Sequence, residues 1–429
     1  MGLGTRRLTW RRRLLFNTFL LVGTWILIES LSVVTMLMLL GSPGQLAIQR
    51  QTTAAQDPFN PGGQHVAPAV IHPYIGAVMQ PKDNGGKLSI GGKFRVTEFG
   101  FVDEGSPIHR RSPDRVIVGI LGGSVARQFG QNATDTLAAE LSLSPQFAGR
   151  QFQFVRLASD GYKQPQQLMI VNYLLTLGAE FDVIINLDGV NEAALPKIDN
   201  VSVGVFAAYP RDWGKMIAGT ASPEFVRMAG YVAHLRKGQR DDALWFGSAP
   251  WNMSMTAQLV WGFRKNQTDH AIMSQLELMN DFTKREMTYC GSGPPEHFDS
   301  DDDVYTHCTE LWCRSSILLH QLCAAQGIRY FHFLQPNQYV PGSKPIGARE
   351  ANVAINEGNL MCLAVRACFP MMKAQATRLA ESGVSFNDLT SVFADHPEPI
   401  YNDVCCHMEP SGDLIMAKAI AARIRQLSQ

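Results

Sequence analysis

The stretch Arg115 to Leu121, RVIVGIL, running into Gly122-Gly123-Ser124, sets the reading of the chain. A short run of β-branched and aliphatic residues, closed by two glycines and followed by a helix-prone stretch through Leu143, spells strand, turn and helix. The unit recurs. Phe152 to Leu157 leads through Ala158-Ser159-Asp160-Gly161 to a helix with Pro165 in its first turn and apolar residues through Leu175. Phe181 to Leu187, FDVIINL, ends in Asp188-Gly189-Val190-Asn191-Glu192. A fourth run, Arg329 to Leu334, ends in Gln335-Pro336-Asn337-Gln338, a fifth lies near Val384 to Val392, and a helix from about Ser411 to Leu427 closes the chain. Strands alternating with helices predict an α/β fold with a doubly wound parallel sheet of about five strands.

Working outward, the sheet domain is expected over 113–429, with the flavodoxin-like form of a doubly wound sheet. Between Glu192 and about Glu310 lie helical patterns at Glu224 to Arg236 and Met255 to Met287. Ordinary connections run about 2–6 residues, so 193–310 is expected to be an insertion with structure of its own, a helical cap beside the strand ends. Upstream, 41–112 is rich in turn signals such as Asp57-Pro58, Pro61-Gly62-Gly63 and Asn84-Gly85-Gly86, and reads as a stalk and irregular preface.

Further upstream, Arg6, Arg7, Arg11, Arg12 and Arg13 precede an apolar run from Leu14 to Leu40 whose one charge is Glu29. A spanning helix needs about 20 apolar residues, whereas a signal's apolar region is about 7–15. The arginines lie on the N-terminal side, so 1–13 is expected to be a cytoplasmic tail, 14–40 a transmembrane signal anchor, and the rest periplasmic or extracellular. A cleaved signal is the rival. Glu29, an acid within the apolar run, calls either for a membrane partner or for a helix apolar enough to tolerate it.

With 429 residues, 45% of them apolar and 18% charged, the chain can bury a sizeable core, which excludes disorder throughout. Basic and acidic residues balance at 38 each, so the basic footprint of a nucleic-acid binder is missing. All eight cysteines, Cys290, Cys308, Cys313, Cys323, Cys362, Cys368, Cys405 and Cys406, lie in the C-terminal part. An even number beyond a translocating segment predicts disulfides; a zinc site near His307, Cys308 and Cys313 is the rival, without any C-x-x-C pair to support it.

In doubly wound sheets ligands bind beyond the carboxyl ends of the strands, where this sequence places Gly122-Gly123-Ser124, Gly161 and Gly189-Val190-Asn191. Each alone has a plain structural explanation as a cap or turn. Together with His407, they fit one mechanism. A serine becomes nucleophilic beside a histidine whose ring a carboxylate orients, and the tetrahedral oxyanion needs donors. Ser124 is thus the candidate nucleophile and His407 the base. The Ser124 amide, the Gly161 amide and the Asn191 side chain are the candidate oxyanion hole. No metal ligand set and no cofactor motif accompanies them.

These blocks resemble the SGNH (GDSL-type) hydrolase superfamily, specifically its membrane-anchored bacterial members. Gly122-Gly123-Ser124 resembles the nucleophile block, with Gly123 in place of the usual aspartate. Gly161 in SDGYKQP matches the second block, and Gly189-Val190-Asn191 matches the third with Glu192 in place of aspartate. Asp403 to His407, before MEPSGDLIMAKAIA, resembles the last, D-x-x-H, except that Val404 stands three residues before the histidine and Asp403 four. Asp403 is then the triad acid if the Cys405-Cys406 pair bends the loop; otherwise a Ser–His pair remains. HPYIGAVMQP with Glu98-Phe99-Gly100-Phe101 is similar to the segment that often precedes the domain. The resemblance implies an extracytoplasmic esterase or O-acyltransferase whose substrate is an acyl ester, on a polysaccharide or other glycan by family analogy. The alternative is a non-catalytic binding or assembly subunit with a degenerate site.

Overall fold

The apolar run after Arg13 folds as one helix, α1 (Trp10–Leu39), long and apolar enough to cross a membrane. The computed structural model describes residues 9–56, 69–81, 94–285 and 288–426. Arg6, Arg7, Leu427 and the turn signals at Asp57-Pro58, Pro61-Gly62-Gly63 and Asn84-Gly85-Gly86 lie outside these residues. After α1 comes α2 (Pro43–Ala55), started by a capping box in which Ser42 and Gln45 exchange side-chain and backbone bonds. Two short antiparallel pairs follow, β1 (Ala69–His72) with β2 (Gly76–Met79) and β3 (Arg95–Val96) with β4 (Val102–Asp103).

The strand and helix alternation then begins with β5 (Arg115–Gly122), α3 (Ser124–Asn132), α4 (Thr134–Leu141), β6 (Gln151–Arg156), α5 (Gln166–Thr176), β7 (Val183–Asp188) and α6 (Val190–Leu195). Next come α7 (Trp213–Ala221), α8 (Pro223–Gly247), α9 (Met255–Arg285), α10 (Tyr289–Ser292) and α11 (Asp301–Ala325). The chain finishes with β8 (Arg329–Leu334), α12 (Ala348–Ala354), α13 (Leu360–Ala374), α14 (Ala376–Glu381), β9 (Ser385–Asp388) and α15 (Pro410–Gln426).

The chain divides into two compact units. One comprises His65–Ala218 and Glu286–Gln429. Its centre is an all-parallel five-stranded sheet in the order β6-β5-β7-β8-β9. Every residue of β7 is buried, as a central parallel strand requires, and for that reason VIINLD reads as a continuous run rather than an alternation. In register, Val118 faces Phe154 on one side and Val183 on the other. Helix α15 packs on α3 and α4, and α11 and α13 pack on α6. Within the region expected as an irregular preface, the described residues form α2 and the two strand pairs β1–β2 and β3–β4. The Tyr162 hydroxyl donates to the Ala77 carbonyl at 2.7 Å, and buried Arg156 pairs with Asp103 at 2.7 Å.

The other unit comprises Met1–Gln64 and Gly219–Arg285. Most of the expected cap therefore clusters with the N-terminal helices and not with the sheet; only 193–218 and 286–310 of the insertion stay in the sheet unit. Helices α8 and α9 form an antiparallel hairpin, clasped by a two-pronged Arg264–Asp242 pair at 2.8 and 3.1 Å. Met36, Leu46, Phe246, Ala257 and Trp261 make its small apolar core, which supplies the reason for the association.

All eight cysteines are thiols, so the expected disulfides are not formed in this structure. Cys308, Cys313 and Cys323 on α11 and Cys362 and Cys368 on α13 are buried, where they serve as small apolar side chains.

Candidate active site

The turn from β5 into α3 is built by two glycines for different reasons. Gly122 has φ +135°, and a Cβ there would lie 2.0 Å from the Leu187 carbonyl oxygen of β7. At Gly123 the backbone is ordinary, but a Cβ would lie 2.1 Å from Asn191 Nδ2. A side chain at residue 122 would therefore meet backbone, and one at residue 123 would have to push the Asn191 amide aside. Ser124 follows as the first residue of α3, where the backbone amide has no preceding turn to bond and is open to an anion.

Asn191, in the first turn of α6, donates through Nδ2 to the Tyr162 carbonyl at 2.8 Å, which fastens the third block to the second. The amide nitrogen has two hydrogens, so one remains for another acceptor. Gly161, one residue before Tyr162, takes φ +76°. A cavity of about 330 Å³ opens beside it, lined by Asp160, Gly161, Tyr162, Met79, Arg211 and Met216 among others.

His407 comes from the loop before α15, and its Nε2 lies 2.7 Å from Ser124 Oγ. Its Nδ1 bonds Asp403 Oδ2. The four-residue spacing is reached because Asp403 Oδ1 accepts the amides of Cys405, Cys406 and His407 at 2.9, 3.0 and 3.2 Å, winding the loop into a single turn around the carboxylate. With Nδ1–H donating to Asp403, Nε2 is the acceptor for the serine proton. Burial pushes the Asp403 carboxyl up, but the hydrogen bond and charge of His407 and the backbone amides outweigh it and hold it at about 2. The same hydrogen bond raises the His407 imidazole above its ordinary 6.5, against the opposing effect of burial. Asp403, Cys405 and His407 also bring donor atoms within 4.8 Å of one another, a spacing a cation would accept. Two of the three, Asp403 and His407, are bonded to each other.

Sequence reasoning missed the support beneath the site. Glu192 is buried and accepts from the Gly189 amide at 2.8 Å, the Gln164 amide at 3.0 Å and Gln167 Nε2 at 2.9 Å, so it ties the second block to the third. Burial and the neighbouring Asp188 push its carboxyl up to about 8, against those hydrogen bonds. Asp188 ends β7 and is itself enclosed: Trp312 Nε1 donates to it at 2.8 Å, Asn186 Nδ2 at 2.6 Å, and His332 Nε2 lies 2.9 Å away. His332 is fully buried and bonded to Ser316 through Nδ1 at 2.8 Å, so this second histidine–carboxylate pair is a structural one. The available sign was His332 interrupting the apolar run RYFHFL.

No protein-family model matches the chain, and no curated protein matches it either.

Proposed function

We propose that the sheet unit is an SGNH-type serine esterase or O-acyltransferase acting on an acyl ester, with an acylated carbohydrate as substrate class. The observation that carries this reading is the continuous chain Ser124 Oγ, His407 Nε2, His407 Nδ1, Asp403 Oδ2. In the reaction Ser124 Oγ attacks the ester carbonyl carbon while His407 Nε2 takes the hydroxyl proton. The carbonyl oxygen becomes an oxyanion received by the Ser124 and Gly161 amides and Asn191 Nδ2. Collapse breaks the ester bond, and His407 returns its proton to the departing alkoxide, leaving an acyl-serine. Water or an acceptor hydroxyl, deprotonated by His407, then takes the acyl group and frees Ser124.

The strand order supports a doubly wound, flavodoxin-like arrangement, in which the crevice at the carboxyl ends of β5 and β7 is the expected ligand position. The arginines on the N-terminal side of the apolar run support an N-terminus in the cytoplasm with the sheet unit on the far side of the membrane. Two departures from the resembled pattern, Gly123 and the four-residue spacing of Asp403 from His407, favour a degenerate binding subunit. Both have geometric explanations that leave the proposed chemistry intact.

The test is turnover of a chromogenic acetyl ester by the full-length protein. Ser124→Ala and His407→Ala should each remove most activity, and the double variant should lose little more, because the pair acts as one unit. Unchanged turnover in Ser124→Ala would overturn the proposal.

A further inference from the structure

We infer that the tip of the α8–α9 hairpin is itself embedded in the lipid bilayer, in the leaflet at the C-terminal end of α1. The inference rests on α1 being a membrane anchor. The bond that carries it is made by Glu29, whose Oε1 accepts from Ser254 Oγ at 2.7 Å and whose Oε2 accepts from the Met255 amide at 2.5 Å and the Thr256 amide at 3.3 Å. A charge in the middle of an apolar helix thus has its partner in the same chain, the positive N-terminus of α9. One turn further along α1, Ser32 Oγ lies 3.0 Å from Thr256 Oγ1, and Met36 and Trp261 share the unit's apolar core. The hairpin tip is therefore held at the level of Glu29, and α9 climbs beside α1 from there.

Depth follows from helix geometry. At 1.5 Å per residue Glu29 lies about 22 Å from Leu14 and about 15 Å from Leu39. Hydrocarbon about 30 Å thick that begins at Leu14 ends roughly 8 Å beyond Glu29. Whatever is bonded to Glu29 is inside it.

The sequence of the hairpin agrees with that depth. Ala243 to Phe263 contains no Asp, Glu, Lys, Arg or His, and the turn between α8 and α9 falls within this stretch. Charges of the hairpin itself resume together on both arms, at Asp242 on α8 and Arg264 on α9, and these two side chains pair with each other; below that pair one cation of α2, Arg50, reaches in to bond Gln258. Below that pair the outward side chains Leu244, Trp245, Trp251, Met253, Val260 and Phe263 are exposed, Met253 at 78%. Trp245 and Trp251 stack with ring centroids 4.6 Å apart, adding to the apolar surface of the tip. An apolar tip of this kind in water would be an aggregation site; between α8 and α9 the residues 248–254 satisfy much of their backbone locally, the Ser248, Asn252, Met253 and Ser254 amides bonding within the turn and the Trp251 carbonyl accepting from Gln258, as burial in lipid requires.

The test uses full-length protein in vesicles of phosphatidylethanolamine and phosphatidylglycerol, with a photoreactive diazirine side chain placed singly at Met253, at Phe19 on α1, or at Met273 on α9 beyond the charged pair. All three positions are exposed, so the fold should accept the probe. Lipid adducts are expected at Met253 and Phe19 with comparable yield, and only background at Met273. Adducts at Phe19 with none at Met253, or with protein adducts alone at Met253, would overturn the embedded tip while leaving the anchor standing. Background at both would remove the anchor reading and this inference with it.

Discussion

Asp403 shows how much one residue's partners decide. Its carboxylate is held low, at about 2, so it stays ionised at any working pH, while the imidazole it orients is held above 6.5. A protonated His407 cannot accept the serine proton, so kcat/KM should rise with pH through an apparent pKa above 6.5 and level off on the alkaline side. Asp403→Asn keeps an acceptor for the three loop amides but removes the charge. It should cost on the order of 10⁴-fold in turnover and move the remaining pH midpoint downward. A small loss with an unmoved midpoint would mean that Ser124 and His407 suffice as a pair. The residues were legible before the fold was seen because Ser124, Gly161 and Asn191 follow strand ends. Whether Asp403 could reach the ring was not, since that depends on three backbone amides in one turn.

At the scale of elements, the β5–α3 turn and the first turn of α6 are a single fitted joint. A methyl group at residue 123 meets Asn191 Nδ2 and must displace it. Gly123→Ala should therefore lower turnover as Asn191→Ala does, by roughly 100–1,000-fold, and the two together should lose little more than either. Additive losses would show that the joint does not act through Asn191. The strand runs were legible from their apolar continuity: β8 begins and ends where the sequence pattern does, and β5 extends the expected run by Gly122. The expected fifth strand shrinks to Ser385–Asp388 because Leu389 and Thr390 already enter a turn, with the Thr390 amide bonded to Asp388 Oδ1 at 2.8 Å. Glu192 and the Asp188–His332–Trp312 group were not legible because their partners arrive from β7, β8, α5 and α11, which only the fold brings together.

At the scale of the whole molecule, the chain forms two compact units whose boundaries cross its sequence order. An apolar N-terminal helix is legible from composition alone. That α8 and α9 associate with it was not, because neither shows a strong apolar stripe and the decisive contact is between Glu29 and residues more than two hundred positions away. The cysteine count suggested disulfides, whereas five of the eight, Cys308, Cys313, Cys323, Cys362 and Cys368, lie on buried faces of α11 and α13 as core side chains. The central claim, that Ser124 is a nucleophile activated by His407 and Asp403, is tested most directly by treating the full-length protein in vesicles with a fluorophosphonate and mapping the adduct by mass spectrometry. The account predicts one covalent adduct, on the peptide carrying Ser124, absent from Ser124→Ala and much slower to form in His407→Ala. No adduct, or an adduct that persists in Ser124→Ala, would contradict it.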